Sequence, residues 1–386
     1  MVLANPVEVK TVGDLFSPQL AEGEDGNLYV SGAVEGPLDS SNYGDVTTPR
    51  PIWKSTDQGA HWQQLGFAGP IPSAITNTEF DLKVGPDGTV YMAVLTYYGY
   101  GQAITIGAST DGGATATWNV LTVVPDADRP FLAFSADATA HVVWHDVRGV
   151  HHASSTDKGK SWTEGPLVHA GGGPGMISIS PRGTMAVRVV SVEGSQKLPS
   201  PGNDGVAISH DKGATWTWET LPGNRTARNA IDFNLGTNGN ATVRWADPIT
   251  FDANGTLFAA WAETPDMWLA ASKDDGASWG TPQRILTSTS PATWPGLPYL
   301  ASGRQPGILA LTWRSGSGSS YIAGLARIDA SQWTDIHVDR VNLNAPGDDG
   351  TEFIPAAFLS DGRLALSYAL KSGGFAFQTA NLVTRS

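Results

Sequence analysis

The residues best suited to proton transfer are a neighbouring histidine and aspartate, His145 and Asp146, directly after Trp144. An imidazole beside carboxylates and arginines can exchange protons near neutral pH. A structural interpretation competes with this one, because a polar residue at the end of a strand can simply bond to a neighbouring loop. Other carboxylates and a tyrosine have suitable chemistry as well, and the predicted catalytic set is His145, Asp146, Tyr98, Asp247 and Glu263.

Arginines are the candidates for binding an anionic ligand. The guanidinium fork binds planar anions in bidentate fashion, so several arginines at one place indicate a carboxylate or sulfate site. For each arginine alone, a salt bridge between repeats is the structural alternative. Carboxylates add hydrogen-bonding groups, and tryptophan rings add flat apolar faces on which a ligand can stack. The predicted substrate-binding set is Arg129, Arg148, Arg314, Glu79, Glu352, Trp245 and Trp294.

The composition argues against several classes of function. Lys and Arg number 24 against 37 Asp and Glu, so the formal net charge is −13 and a basic surface for nucleic acid is not expected. The chain has no cysteine, which excludes disulfides, thiolate zinc sites and a cysteine nucleophile. No apolar run reaches the ~20 residues of a membrane helix, and no carboxylate spacing marks a calcium loop. We therefore expect no nucleic-acid partner, no membrane span, no metal and no cofactor.

The elements that position these residues are visible as an internal repeat. A Ser-x-Asp-x-Gly pattern that ends in tryptophan recurs in four close copies, and two weaker copies contain Asp111 and Asp329. The copies follow one another at a period of roughly 50 residues, which is typical of a propeller or another repeat array. The close copies begin at Ser55, Ser155, Ser209 and Ser272.

Each copy follows an alternating apolar stretch broken by a two-residue turn, as expected for two strands joined by a hairpin. Seven such turns occur, but only six precede the aspartate pattern, because the chain ends at Ser386. The last unit therefore lacks a strand, and residues 7–12 can supply it beside residues 374–383 and so remove an open edge. The seven turns are Asp25-Gly26, Asp87-Gly88, Asp137-Ala138, Arg182-Gly183, Asn254-Gly255, Pro306-Gly307 and Asp361-Gly362.

Together these patterns resemble the Asp-box, or BNR, repeat propellers, the superfamily of sialidases and their relatives, whose motif is Ser-x-Asp-x-Gly-x-Thr-Trp. The resemblance spans nearly the whole chain. It implies one all-β domain, residues 1–386, that forms a seven-bladed β-propeller of four-stranded antiparallel blades, closed by an N-terminal outer strand. In that family the motif lies in the turn between the third and fourth strands of a blade. The six aspartates are accordingly interpreted as structural residues that bind turn amides.

Propellers of this kind normally carry their chemistry on the face opposite the Asp boxes, where the chain enters the first strand of a blade and leaves the second. The predicted register places the candidate residues there. Sialidases have an arginine in an Arg-Ile-Pro sequence that opens blade 1. This chain has Ser17-Pro18 at that place and Arg129-Pro130 two blades later, so the sialidase arginine is absent from its usual position.

The function expected from the resemblance is cleavage of an acidic glycan, bearing uronate or sialate, in one central funnel. A sialidase-like glycoside hydrolase would use two carboxylates, whereas a polysaccharide lyase would use a base such as His145 or a tyrosine and an arginine as the cation. The residues leave both reactions open. A non-catalytic lectin or assembly scaffold is the alternative from another class. We expect a secreted monomer, because polymeric glycans occur outside the cell.

Overall fold

The computed structural model of the chain describes residues 1–10, 14–35, 52–66, 80–98, 101–124, 127–190, 205–222, 248–263, 265–289, 295–317, 320–343 and 354–381. Every regular element within these ranges is a β-strand. In these ranges, accordingly, no helix is long and apolar enough to cross a membrane.

The strands form seven antiparallel sheets, and each sheet contains strands that follow one another along the chain. We call the sheets blades and number them in chain order. Blades 1 to 3 contain β3 (Asp14–Glu22), β4 (Leu28–Glu35), β5 (Ile52–Ser55) and β6 (Gln63–Leu65); β7 (Phe80–Val84), β8 (Val90–Tyr98), β9 (Gly101–Ser109) and β10 (Thr117–Val124); and β11 (Asp128–Phe134), β12 (Ala140–Asp146), β13 (Gly149–Ser155) and β14 (Thr163–Glu164).

The remaining blades repeat this pattern. Blades 4 to 7 contain β15 (Gly173–Ile179), β16 (Met185–Val190), β17 (Gly205–Ser209) and β18 (Thr217–Thr220); β19 (Ile249–Phe251), β20 (Leu257–Glu263), β21 (Asp266–Ser272) and β22 (Gln283–Thr287); β23 (Pro295–Ser302), β24 (Ile308–Ser317), β25 (Ser320–Asp329) and β26 (His337–Leu343); and β27 (Ala356–Phe358), β28 (Leu364–Ala369) and β29 (Phe375–Asn381).

The blades are arranged as a closed ring. The first strands β3, β7, β11, β15, β19, β23 and β27 contact one another in that order, and β27 returns to β3. All seven predicted hairpin turns lie between the first and second strands of a blade. The prediction of a seven-bladed, all-β propeller with four-stranded antiparallel blades is therefore confirmed.

Blade 7 is completed by the N-terminus. Strand β2 (Val7–Val9) pairs with β29, with Val7 opposite Phe377 and Val9 opposite Phe375. A further strand that was not predicted, β1 (Val2–Leu3), pairs with the far end of β29. The predicted closure is thus consistent with the structure, although the paired segment ends at Val9 and residues 11–13 lie outside the described ranges. Closing the sheet in this way covers the backbone edge that β29 would otherwise present.

The core consists of apolar layers between neighbouring blades. The second strand of a blade is buried on both faces, because each face of the blade packs against a neighbouring blade. Trp144 and Trp261 are completely buried in second strands. Between blades 2 and 3, for example, Trp144 packs in a layer with Tyr91 and Leu132. Such layers make each blade depend on its neighbours, as in other repeat proteins.

The Ser-x-Asp turns are held by their own side chains. In blade 4, the Gly213 amide donates to Ser209 Oγ (2.8 Å), and the Thr215 amide donates to Asp211 Oδ1 (2.8 Å). The Thr215 hydroxyl donates to Asp211 Oδ2, and together with the Thr215 amide and the Ser209 hydroxyl it lowers the pKa of Asp211 to about 2. The same bonds recur around Asp157 and Asp274, which fits the structural interpretation of these aspartates.

We call the end of the ring that bears these turns and the hairpins the turn face, and the opposite end the loop face. The second and fourth strands end at the loop face, and the first and third strands begin there.

Candidate functional site

The described candidate residues lie towards the loop face of their blades. His145 and Asp146 end strand β12, Glu263 ends β20, and Arg148 lies in the connection from β12 to β13. Arg314 occupies β24 opposite Gly296, which corresponds to the pairing of His145 with Asp128 in blade 3. Tyr98 is the last residue of β8. Glu79, Trp245, Asp247, Trp294 and Glu352 lie outside the described residues and stay predictions.

Asp146 is the centre of a charged cluster in blade 3. Its carboxylate is fully buried and accepts hydrogen bonds from Arg148 Nη2 (2.7 Å to Oδ2) and from the Arg148 amide (2.7 Å to Oδ1). Burial opposes ionisation of Asp146, but the bonds from Arg148 and from His151 outweigh it and lower the pKa of Asp146 below its ordinary value. The buried carboxylate in turn raises the pKa of Arg148, so both groups are charged.

His151 connects this cluster to a second carboxylate. Its Nε2 atom lies 2.9 Å from Asp146 Oδ1, and its Nδ1 atom lies 2.9 Å from Glu164 Oε1. A neutral imidazole has one N–H group, so both contacts are hydrogen bonds only when the ring is protonated. The ring stacks on Trp144, with centroids 5.2 Å apart. The sequence analysis did not predict this role. The pairing of β12 with β13 would have indicated it, because Trp144 lies opposite His151 and side chains opposite one another share a face of the sheet.

The structure separates His145 from Asp146. Successive strand residues point to opposite faces of a sheet, so Asp146 shares the face of Trp144, towards blade 2. His145 shares the face of Val143, which packs against blade 4. His145 is completely buried. One pocket would therefore reach only one of these two side chains directly.

Two of the predicted arginines are buried as well. Arg129 lies at a β-bulge of β11 with a φ of 53°, and its amide donates to Asp128 Oδ1 (2.8 Å). Arg314 is completely buried and shares a face with Thr312, whose hydroxyl donates to the Ile354 carbonyl at the start of blade 7. Arg148 differs from both, because 55% of its side chain is exposed.

The central channel contains a polar contact that the sequence analysis did not predict. Lys83 of blade 2 donates from Nζ to the Tyr299 hydroxyl of blade 6, 3.4 Å away, and lies 3.6 Å from Asp81. Burial opposes the charge on Lys83, but Asp81 and Tyr299 outweigh it and raise the pKa of Lys83 above its ordinary value. Apolar side chains, including Leu297 and Phe131, pack around Tyr299.

A small groove lies between blades 2 and 3, beside the Asp146 cluster. Its volume is about 140 Å³, and its walls include Trp144, Trp162, Asn119 and the half-exposed Glu164. The groove thus places a carboxylate that contacts His151 next to two indole rings. Among the described residues no group of three or more His, Asp and Glu side chains is arranged to hold a metal ion.

The comparisons with known proteins bear on the fold. No family model matches the chain, and no curated protein matches it either. Solved structures do match. An α-L-arabinanase from Penicillium chrysogenum complexed with arabinobiose is 16% identical over 86% of this chain and 99% of its own, with a TM-score of 0.52. YCF48 from Cyanidioschyzon merolae is 12% identical over 97% of each chain, with a TM-score of 0.53.

An intramolecular trans-sialidase from Ruminococcus gnavus matches over 96% of this chain and 95% of its own, at 13% identity and a TM-score of 0.45. At such identities a likeness shows the fold alone. The chain is a seven-bladed β-propeller, and the proteins that share this architecture include glycoside hydrolases.

Proposed function

We propose that the protein binds and cleaves an acidic glycan at its loop face, with Arg148 as the group that recognises the carboxylate. The observation that carries this proposal is the position of Arg148. One edge of its guanidinium is fixed by the buried Asp146 through Nε and Nη2. Its Nη1 atom makes no hydrogen bond to any described residue, and more than half of the side chain is exposed. A pre-oriented arginine of this kind is suited to a carboxylate ligand.

The fold supports a glycan as the ligand. The Penicillium arabinanase that shares the architecture is complexed with arabinobiose, so a propeller of this size accommodates sugar units. We also propose, on the side-chain bonding of the Ser-x-Asp turns, that the chain is a member of the Asp-box superfamily. Secretion remains part of the proposal, because polymeric glycans occur outside cells.

The reaction is hydrolysis or β-elimination, and blade 3 offers groups for either one. For hydrolysis, Glu164 and Asp146 are carboxylates bridged by His151. For β-elimination, the base removes a proton next to the substrate carboxylate while a cation stabilises the resulting charge. Arg148 is the exposed cation of blade 3, and His151 has the chemistry of the base, although it is buried and would have to lose its contact with Asp146 or Glu164 to accept a proton from substrate. The buried His145 and Arg314, with Glu263 and Tyr98, stay candidates for shaping or extending the same site.

The test is a panel of uronate-bearing, sialate-bearing and neutral glycans, assayed for new reducing ends and for the ultraviolet absorbance of unsaturated uronates. Arg148→Ala should weaken binding of the acidic glycans by about tenfold or more and leave neutral ones unchanged. Arg363→Ala is the matched control, because Arg363 bonds to Asp361 in the same i, i+2 arrangement on the turn face. Equal binding by both variants would contradict the role of Arg148.

A non-catalytic glycan-binding or assembly propeller is the second candidate. It is favoured by the complete burial of His145 and Arg314 and by the near-complete burial of Asp146, because a group that acts on substrate must reach it. Binding of acidic glycans without any product would support this candidate over an enzyme.

A further inference from the structure

At five blade junctions on the turn face, the glycine of the Ser-x-Asp turn packs against the preceding blade. In blade 4, Gly213 has a φ of +86°, and a Cβ atom there would lie 2.4 Å from His152 Cε1 in blade 3. The backbone of the turn therefore lies directly on the preceding blade. A Cβ atom would overlap the preceding blade in the same way at Gly59 (2.1 Å from Phe377) and Gly159 (2.4 Å from Ala108), and would make a tight contact at Gly113 (3.3 Å from Ile52) and Gly276 (3.1 Å from Ile208).

Side chains strengthen four of these junctions. The residue after the turn aspartate contacts the hairpin of the preceding blade, as Lys158 does with Asp87 (3.3 Å). The corresponding contacts are Lys212 with Asp137, Asp275 with Arg182 and Gln58 with Arg363.

The sixth turn departs from this pattern. Its sequence from Asp329 to Trp333 lacks the glycine. The Ala330 amide instead donates to the carbonyl of Gly307 (2.8 Å), so the turn folds against the hairpin of its own blade 6. A Cβ atom on Gly307 would lie 2.5 Å from the Ser331 nitrogen, which shows how closely these two turns approach. A cavity of about 450 Å³ lies between blades 5 and 6 at this junction.

The walls of this groove combine an aromatic surface with a polar rim. Trp333 lines one side, its ring 6.2 Å from that of the buried Phe258, and its indole N–H donates to the Thr281 carbonyl. The rim carries Asn254, Thr256, Ser331 and the exposed Lys273.

Asp252 also lines the groove, but its carboxylate already accepts amides from both adjoining hairpins, at Asn254, Thr256 and Gly307. It therefore fixes the shape of the groove, and Lys273 contributes the exposed charge at the rim. A ring with one apolar face, hydroxyl groups at its edge and a carboxylate matches such a surface.

We propose that the groove between blades 5 and 6 is a second binding site, which holds one uronate unit of a glycan stacked on Trp333. This site lies on the turn face, away from Arg148, and its occupancy does not depend on the reaction proposed for the loop face. Its role is to hold acidic glycan without cleaving it.

The experiment is a titration of the Arg148→Ala protein with tri-galacturonate and, separately, with maltotriose, followed by the NMR signal of the Trp333 indole N–H. Because Arg148→Ala removes the proposed recognition group of the loop face, a saturable shift of this signal with tri-galacturonate reports the groove itself. A loss of glycan cleavage in Arg148→Ala tests the loop face separately, so the two proposals can fail independently.

Three variants sharpen the titration. Trp333→Ala should weaken tri-galacturonate binding, measured by calorimetry, by about tenfold or more, whereas Trp279→Ala at the same position of the fifth turn should not. Thr256→Trp should block the groove while Trp333 stays in place. This variant tests the groove even if Trp333→Ala does not fold. Lys273→Gln should reduce binding of tri-galacturonate to the level of maltotriose. No shift of the Trp333 signal, or unchanged binding in a folded Thr256→Trp protein, overturns the proposal.

Discussion

His151 Nε2 lies 2.9 Å from Asp146 Oδ1, so the carboxylate at the end of β12 is bound by a histidine of β13 and not by its neighbour in sequence, His145. The pairing follows from the sheet, because side chains near one another on adjacent strands share a face while successive residues do not. Asp146, His151 and Glu164 therefore form one cluster of titratable groups in blade 3, beside the half-exposed Arg148.

Replacing His151 should destabilise the fold. His151→Phe keeps a ring on Trp144 but removes the polar contacts with Asp146 and Glu164, so we expect the free energy of unfolding to fall by about 1–3 kcal/mol in a urea titration. His61→Phe is the control, because His61 contacts Asp57 in a similar way but on the exposed turn face, and it should change stability little. An equal loss of unfolding free energy in both variants would contradict the prediction that the buried histidine contributes more to stability than the exposed one.

The glycine of the fourth Ser-x-Asp turn should be intolerant of a side chain. Gly213→Ala needs a left-handed backbone and also brings Cβ against His152, so we expect a loss of about 2–4 kcal/mol in unfolding free energy. Gly183→Ala has the same backbone requirement but meets no atom within 4 Å, and its cost should be about 1 kcal/mol. Urea titrations of both variants give the difference, and a Gly183→Ala loss as large as that of Gly213→Ala would contradict the close approach.

Stability should fall in mild acid because of a buried histidine pair. His141 Nδ1 lies 3.0 Å from His152 Nε2, and desolvation lowers the pKa of His141 to about 4 and that of His152 to about 3. The unfolded chain binds these protons near pH 6.5, so it holds more protons than the folded protein below that pH. The free energy of unfolding should therefore decrease from about pH 6.5 down to about pH 4, by roughly 3 kcal/mol for each of the two histidines.

The turn aspartates Asp157 and Asp211 contribute only near the lower end of this window, because their pKa values of about 2 and the ordinary value of 3.8 both lie below pH 4. His141→Gln should make the stability of the protein less dependent on pH between 4 and 6.5, as measured by urea titrations at several pH values. An unchanged slope in this variant would assign the acid sensitivity to other groups.

The N-terminal strands should matter for the whole ring. Deleting residues 1–9 exposes the edge of β29 and one side of Phe375 and Phe377, so we expect a lower Tm in calorimetry and self-association in ultracentrifugation. Deleting residues 1–4 keeps β2 in place and should have a smaller effect. If the protein without residues 1–9 kept the Tm of the full-length protein, β2 would not stabilise the ring.

The number of blades, the hairpins and the closing strand were predictable from sequence, because each depends on local signals that repeat. Turn residues favour the same backbone wherever they occur, and seven hairpins with six aspartate turns leave one strand to be supplied by the N-terminus. Strand alternation also explains why the rings of His151 and His152 lie on opposite faces of blade 3, where they contact Asp146 and His141 respectively.

The site depends on contacts between repeats, which no local pattern encodes. Lys83 and Tyr299 meet across the channel because the ring closes, and the junction between blades 5 and 6 is open because one turn folds onto its own hairpin. The sequence analysis assigned Arg148 and Arg314 the same role, yet Arg148 is half exposed and Arg314 is buried between blades. Sequence determined which strands form, because hydrogen bonding and alternation act over a few residues; only the packing of whole blades decided which side chains meet and which reach solvent.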